Sequence, residues 1–131
     1  MTTRVEARPR LLIAEDDRDL AETMREVLEE DFAVDVAVNG SDAVEMAQGE
    51  RPDVVVMDAR MPKMNGIEAC RALRHDPRTA TLPIILVTGS SEPELAHAAF
   101  DAGATDYLRK PFSISQLRSR AMTCVLRQQA I

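Results

Sequence analysis

The chain predicts an α/β domain built on a parallel sheet, and three observations carry that prediction. Five short apolar runs alternate with stretches of helical period. Three of the runs are almost unbroken in apolar residues, as strands covered on both faces must be. Polar and charged residues collect just after the runs, at the ends where ligands bind in open α/β sheets. Such regular alternation implies right-handed crossovers and helices on both sheet faces.

The first run is Arg10 to Ala14. After it, Asp17 is placed to cap a helix on which Leu20, Met24, Val27 and Leu28 fall on one face. The second run, Ala33 to Val38, is followed by Asn39-Gly40, which reads as a turn. Ser41 or Asp42 would then cap a short helix through Ala47. The third run is Val54 to Met57, with Asp58 at its end. A third helix is predicted from about Gly66 to Arg74, with Ile67, Cys70 and Leu73 in register; His75-Asp76-Pro77 ends it, and Arg78 to Leu82 is a loop. After the fourth run, Ile84 to Val87, Pro93 opens a helix that Gly103 closes. The fifth run is Asp106 to Arg109. Ser113 or Ser115 opens the last helix, where Ile114, Leu117, Ala121 and Cys124 or Val125 keep helical spacing. The predicted layout is therefore an N-terminal extension over 1–9, one domain over 10–127, and a tail or the start of a linker over 128–131.

At 131 residues this is enough chain for a single core. The formal net charge of −6 argues against direct nucleic acid binding, which needs clustered Lys and Arg. Cys70 and Cys124 have no CxxC spacing and fit a reducing cytosol as small buried side chains. The stretch Met1 to Arg10 carries three arginines and no apolar segment, unlike a signal peptide. No run approaches the roughly 20 apolar residues of a membrane span. The expectation is a soluble, cytoplasmic domain without membrane contact.

The strand ends hold the chemistry. A carboxylate closing a buried strand, as Asp58 does, is costly unless cations or hydrogen bonds compensate it. Compensators stand at three other strand ends: Glu15 and Asp16, Thr88, and Lys110. In a parallel sheet all of these converge on one edge. Magnesium takes oxygen ligands, typically one or two carboxylates with waters and phosphate oxygens. Asp16 and Asp58 are the expected direct ligands, with Glu15 direct or through water and the Arg60 backbone carbonyl turned to the same ion; Mn2+ is an alternative ion. Asp58 can then act as a nucleophile on phosphorus while Lys110 balances charge. Thr88 offers a hydroxyl to a phosphoryl oxygen, with Gly89 leaving room beside it. Were Thr88 drawn toward that group, it would vacate volume that the Tyr107 ring could fill, giving a two-state element. Each residue alone has an ordinary structural explanation; their conjunction at four strand ends does not.

These pieces closely resemble the receiver domain of two-component response regulators, from Arg10 to Arg127. The resemblance lies in Leu11-Leu12-Ile13-Ala14-Glu15-Asp16-Asp17, in Met57-Asp58 with Met61-Pro62 and Gly66, in Val87-Thr88-Gly89, and in Gly103 to Phe112. It implies a flavodoxin-like, doubly wound (βα)5 fold with strand order 2-1-3-4-5. It also implies Asp58 as phosphoacceptor, Glu15 and Asp16 as metal-binding acids, and Thr88 and Tyr107 as the switch pair. Lys110 becomes the active-site cation, with a cis Lys110-Pro111 bond. The implied partner is a histidine kinase or histidine phosphotransfer protein, and the domain would assist its own phosphorylation and dephosphorylation rather than turn over a substrate. The implied output surface is helix 4, strand 5 and helix 5, bearing Asp101, Asp106, Arg109, Arg118 and Arg120, a surface suited to a homodimer; Gln116, where an acid is common in dimerising relatives, weakens that inference. Arg60 and Ser90 are unusual at positions that flank an attacking water. An aspartate-nucleophile phosphohydrolase is disfavoured because Arg60 stands where a second Asp would act as general acid. A receiver-like protein that binds without phosphorylation is disfavoured because no site residue is missing.

Overall fold

In the computed structural model, residues 8–89 and 93–129 are described; positions 1–7, 90–92 (Ser90 among them), 130 and 131 lie outside them. The five strands are β1 (Arg10–Ala14), β2 (Ala33–Ala37), β3 (Val54–Asp58), β4 (Ile84–Thr88) and β5 (Asp106–Arg109). They alternate with α1 (Arg18–Leu28), α2 (Gly40–Glu50), α3 (Gly66–His75), α4 (Pro93–Asp101) and α5 (Ile114–Gln129). All pairings are parallel, in the order β2-β1-β3-β4-β5. The predicted doubly wound (βα)5 arrangement is therefore the observed one.

Period-two alternation along buried strands sorts side chains into two cores. Leu11, Ile13, Val54, Val56, Ile85 and Val87 pack with Met24, Leu28, Leu117 and Ala121 beneath α1 and α5. Leu12, Val55, Met57, Ile84 and Leu86 point the other way, against Ala47, Cys70, Leu73 and Ala99 of α2, α3 and α4. Every residue of β3 and β4 is buried, which is why those runs are continuously apolar. Cys70 and Cys124 are both buried and free, one in each core.

Most helix ends are where the local chemistry puts them. The Asp17 side chain accepts from the Leu20 amide and caps α1, and Ser113 Oγ accepts from the Gln116 amide ahead of α5. Gly103, at φ +101, ends α4 in the conformation that favours glycine. The expected cap of α2 needs correction. Neither Ser41 nor Asp42 begins it: Asn39 does, its side chain accepting from the Asp42 amide at 2.8 Å. The helix also runs past Ala47 to Glu50, where Arg51 in the left-handed region and Pro52 stop it. Arg78 to Leu82 is a tied turn rather than a plain loop, with the buried Thr79 hydroxyl donating to the Leu73 carbonyl at 2.6 Å. Helix α5 continues to Gln129, two residues beyond Arg127.

Two glycines fit the β3–α3 loop against its surroundings. A Cβ on Gly40 would overlap the Met64 carbonyl, and one on Gly66 would overlap the carbonyl of Asp58. Both contacts are to backbone, so no side-chain rotation relieves them. The α3 start is further held by a capping box in which Asn65 and Glu68 exchange side-chain and backbone bonds.

Candidate functional site

The carboxyl ends of β1, β3, β4 and β5 meet at one edge of the sheet. One carboxylate oxygen each from Glu15, Asp16 and Asp58 falls within 4.8 Å of the others. Asp16 is exposed, whereas Glu15 and Asp58 are buried. The register explains the meeting: β1 and β3 are adjacent, with Ala14 opposite Met57, so the next residue on each strand is an acid.

Asp58 is held from two sides. The Arg60 amide donates to its Oδ1 at 2.9 Å, and Lys110 Nζ lies 3.1 Å from its Oδ2. Lys110 comes from the segment just after β5, where its amide donates to the Thr88 carbonyl at 2.6 Å and the bond to Pro111 is cis. Thr88, fully buried, ends β4 beside Asp58, whose register partner is Val87. Backbone bonding thus places the Asp58 carboxylate, the Thr88 hydroxyl and the Lys110 ammonium at one strand-end cluster.

Glu15 is less well served. Its Oε2 accepts from the Asp17 amide at 3.2 Å, but Oε1 is buried and accepts no hydrogen bond from the described residues; Lys110 Nζ is 3.6 Å away. Burial, reinforced by the neighbouring Asp58 charge, pushes the Glu15 carboxyl up to about 7, against the pull of the Asp17 amide and Lys110. Burial also works against the Lys110 ammonium, but the Asp58 and Glu15 carboxylates outweigh it and hold its pKa above the ordinary value. Three carboxylates facing one ammonium leave a deficit of positive charge. An orphaned carboxylate oxygen in an all-oxygen acidic set fits a hard divalent cation, and this cluster could hold one.

Tyr107 stands outside the acid cluster. It lies opposite Leu86, so it shares the α4 side of the sheet with Thr88, two residues further along β4. Its ring is half-buried, and burial raises its phenol pKa. Of the charges expected on the α4–β5–α5 surface, Asp106, Arg118 and Arg120 are engaged within the chain. Arg120 pairs with Asp106 at 2.7 Å, and Arg118 reaches Glu30 and Asp31 at 3.2 and 3.5 Å. The amides of Arg60 and Asp17, which orient the acids, were not anticipated from sequence. Backbone donors leave no residue-type signal, although an acid two positions before a turn residue is where such a bond forms. No helix among the described residues is long and apolar enough to cross a membrane.

Comparison with known proteins bears on this edge directly. The family model for the response regulator receiver domain matches residues 11–122. The response regulator MprA of Mycolicibacterium vanbaalenii is 38% identical over 120 residues, covering 91% of this chain and 51% of the relative. The chain thus spans about half the length of the curated relatives it matches. The receiver domain of a Francisella response regulator superposes with a TM-score of 0.84 at 30% identity, covering 92% of this chain and 98% of that one. A sensor histidine kinase receiver domain from Pseudomonas aeruginosa, solved with magnesium coordinated in its active-site cleft, gives 0.80 at 29% identity over 91% of this chain and 98% of its own. With the acid cluster, the lysine and the strand order all in place, this chain belongs to the response regulator receiver domains.

Proposed function

We propose that the domain accepts a phosphoryl group on Asp58 from a phosphohistidine protein in a magnesium-dependent reaction, and that the modified site changes the α4–β5–α5 surface read by a partner or output domain. The observation that carries this reading is the buried Asp58 carboxylate, aimed by the Arg60 amide and flanked by Lys110. A carboxylate oxygen of Asp58 attacks phosphorus as the P–N bond to the donor imidazole breaks, and the departing imidazole takes a proton. Lys110, already 3.1 Å from Oδ2, follows the charge onto the phosphoryl oxygens. Thr88 donates its hydroxyl to one of them. Glu15 and Asp16, with Asp58 and the Arg60 carbonyl, hold the cation, which when bound supplies charge neutralisation for the transferring group. Hydrolysis by water returns the carboxylate, so the site also assists its own dephosphorylation.

The donor's approach is suggested by the surface next to Lys110. A groove of about 260 Å³ lies between α1 and the start of α5, lined by Leu20, Met24, Phe112 and Ile114. Residues 16–31 carry eight carboxylates against two arginines, equal to the whole formal charge of −6. A donor with an apolar ridge and a basic rim fits that combination. The test of the central reading is intact mass after incubation with acetyl phosphate and MgCl2. A metal-dependent gain of one phosphoryl group, about 80 Da, in wild type but not in Asp58→Asn supports it; a gain of equal size in Asp58→Asn contradicts it.

A further inference from the structure

Among the described residues, Phe100 is a large apolar side chain left exposed, at 53% of its surface. It sits near the end of α4, and its ring meets that of Tyr107 with centroids 6.3 Å apart and planes tilted by 51°. Aromatic quadrupoles favour tilted pairs at this separation. Tyr107 packs along its other side against the core beneath α4, which includes Leu86, Ala99 and Ala102. Thr88, on the same face of the adjacent strand and fully buried, marks the volume the ring would enter if the hydroxyl moved toward the acids. The ring rests over Phe100 at the surface, and the switch reading gives it a second place over Thr88 inside.

We infer that Phe100 is a positioning residue for Tyr107, holding its ring at the α4 surface and so setting how readily the domain switches. The inference rests on the reading of Thr88 and Tyr107 as the switch pair. An aromatic pair of this kind is strong enough to bias a two-state equilibrium roughly two- to tenfold. Removing Phe100 weakens only the outer resting place, so the inner one gains population by that factor. The same factor must appear in the amount of ligand needed to switch the domain, because a ligand that binds the switched state works against the same equilibrium.

The chain reports this motion by itself: Tyr107 is its only tyrosine and it has no tryptophan, so all tyrosine emission comes from the switch ring. The experiment compares wild type, Phe100→Ala and Phe100→Leu by acrylamide quenching of that emission, during titration with beryllium fluoride as a phosphoryl mimic at saturating MgCl2. Before any mimic is added, Phe100→Ala should show a ring less open to quenching than wild type. Its titration midpoint should fall roughly two- to tenfold, with Phe100→Leu between the two. Because Phe100 is largely exposed, its truncation leaves no core cavity; if Phe100→Ala nevertheless melts early, Phe100→Leu, which keeps apolar bulk without a ring, carries the comparison. Wild-type quenching and midpoint in both variants would overturn the inference. A wild-type ring that does not respond to the mimic would overturn the switch reading beneath it as well.

Discussion

Replacing Glu15 with glutamine isolates the charge deficit at the heart of the site. The Glu15 carboxyl is held at about 7 against an ordinary 4.5. Its protonated form is thus favoured by folding, so the stability linked to this group is fully present below about 4.5 and is lost as pH rises through about 7. The gap of some 2.5 units, at 1.36 kcal/mol each, corresponds to ~3 kcal/mol lost by about pH 8 and under ~1 kcal/mol by about pH 5. An amide at this position has no proton to lose. In EDTA, Glu15→Gln should therefore be the more stable protein by ~3 kcal/mol near pH 8, roughly 10 °C in Tm, and nearly equal to wild type near pH 5. Saturating MgCl2 should reverse the order at the higher pH, because the cation compensates a carboxylate and has less to gain from an amide. Thermal unfolding by circular dichroism at the two pH values, with EDTA or MgCl2, provides the four comparisons. The reasoning fails if the difference between variant and wild type in EDTA is the same at both pH values, or if magnesium raises both proteins equally.

Other perturbations follow from the packing around this edge. Gly66→Ala drives a methyl into the Asp58 carbonyl; it should cost ~1–3 kcal/mol in urea unfolding and slow phosphorylation together, and a variant with wild-type values for both would contradict the tight-loop account. Arg74 donates to the carbonyls of Gly103 and Thr79 and to Thr105 Oγ1, at 2.8, 3.3 and 3.3 Å, joining α3 to the starts of β4 and β5. Arg74→Ala should destabilise by ~2–4 kcal/mol, with Arg74→Lys recovering only part because an ammonium lacks the planar fork; full recovery by lysine would refute the geometry. The exposed Arg60 side chain follows the acceptor by two residues and can pair with or screen a phosphoryl group. Arg60→Ala should change the dephosphorylation rate of isolated phosphoprotein by about two- to tenfold, and an unchanged rate sinks that role.

How much of this was legible in the sequence depended on burial. Strands β3 and β4 are covered on both faces, so their runs are continuously apolar and their polar terminators, Asp58 and Thr88, stand out. The edge strand β5 is more open, with Asp106 and Arg109 among its four residues, and it was placed by its neighbours Gly103 and Lys110 as much as by its own pattern. The start of α2 was misread because Asn39-Gly40 carries the chemistry of a turn and of a cap equally. What decides is the Asn39 side chain accepting from the Asp42 amide, with Gly40 held where the Met64 carbonyl leaves no room for a Cβ. The far end of α2 was missed for a related reason: Gln48, Gly49 and Glu50 carry no apolar signal, and the stop is supplied by Arg51 in the left-handed region. The carboxylates of the site could be named from residue type and position. The orphaned Oε1 of Glu15 and the Phe100–Tyr107 contact are matters of side-chain geometry that no spacing rule encodes.

The most direct test of the account is the chemical location of the phosphoryl group. Borohydride reduction of protein phosphorylated with acetyl phosphate and magnesium converts an aspartyl phosphate to homoserine, and peptide mass spectrometry reads its position. The account predicts homoserine at residue 58, none in samples prepared with EDTA, and none elsewhere in the chain. Homoserine at Asp16, or at any other carboxylate, with residue 58 still aspartate, would contradict it.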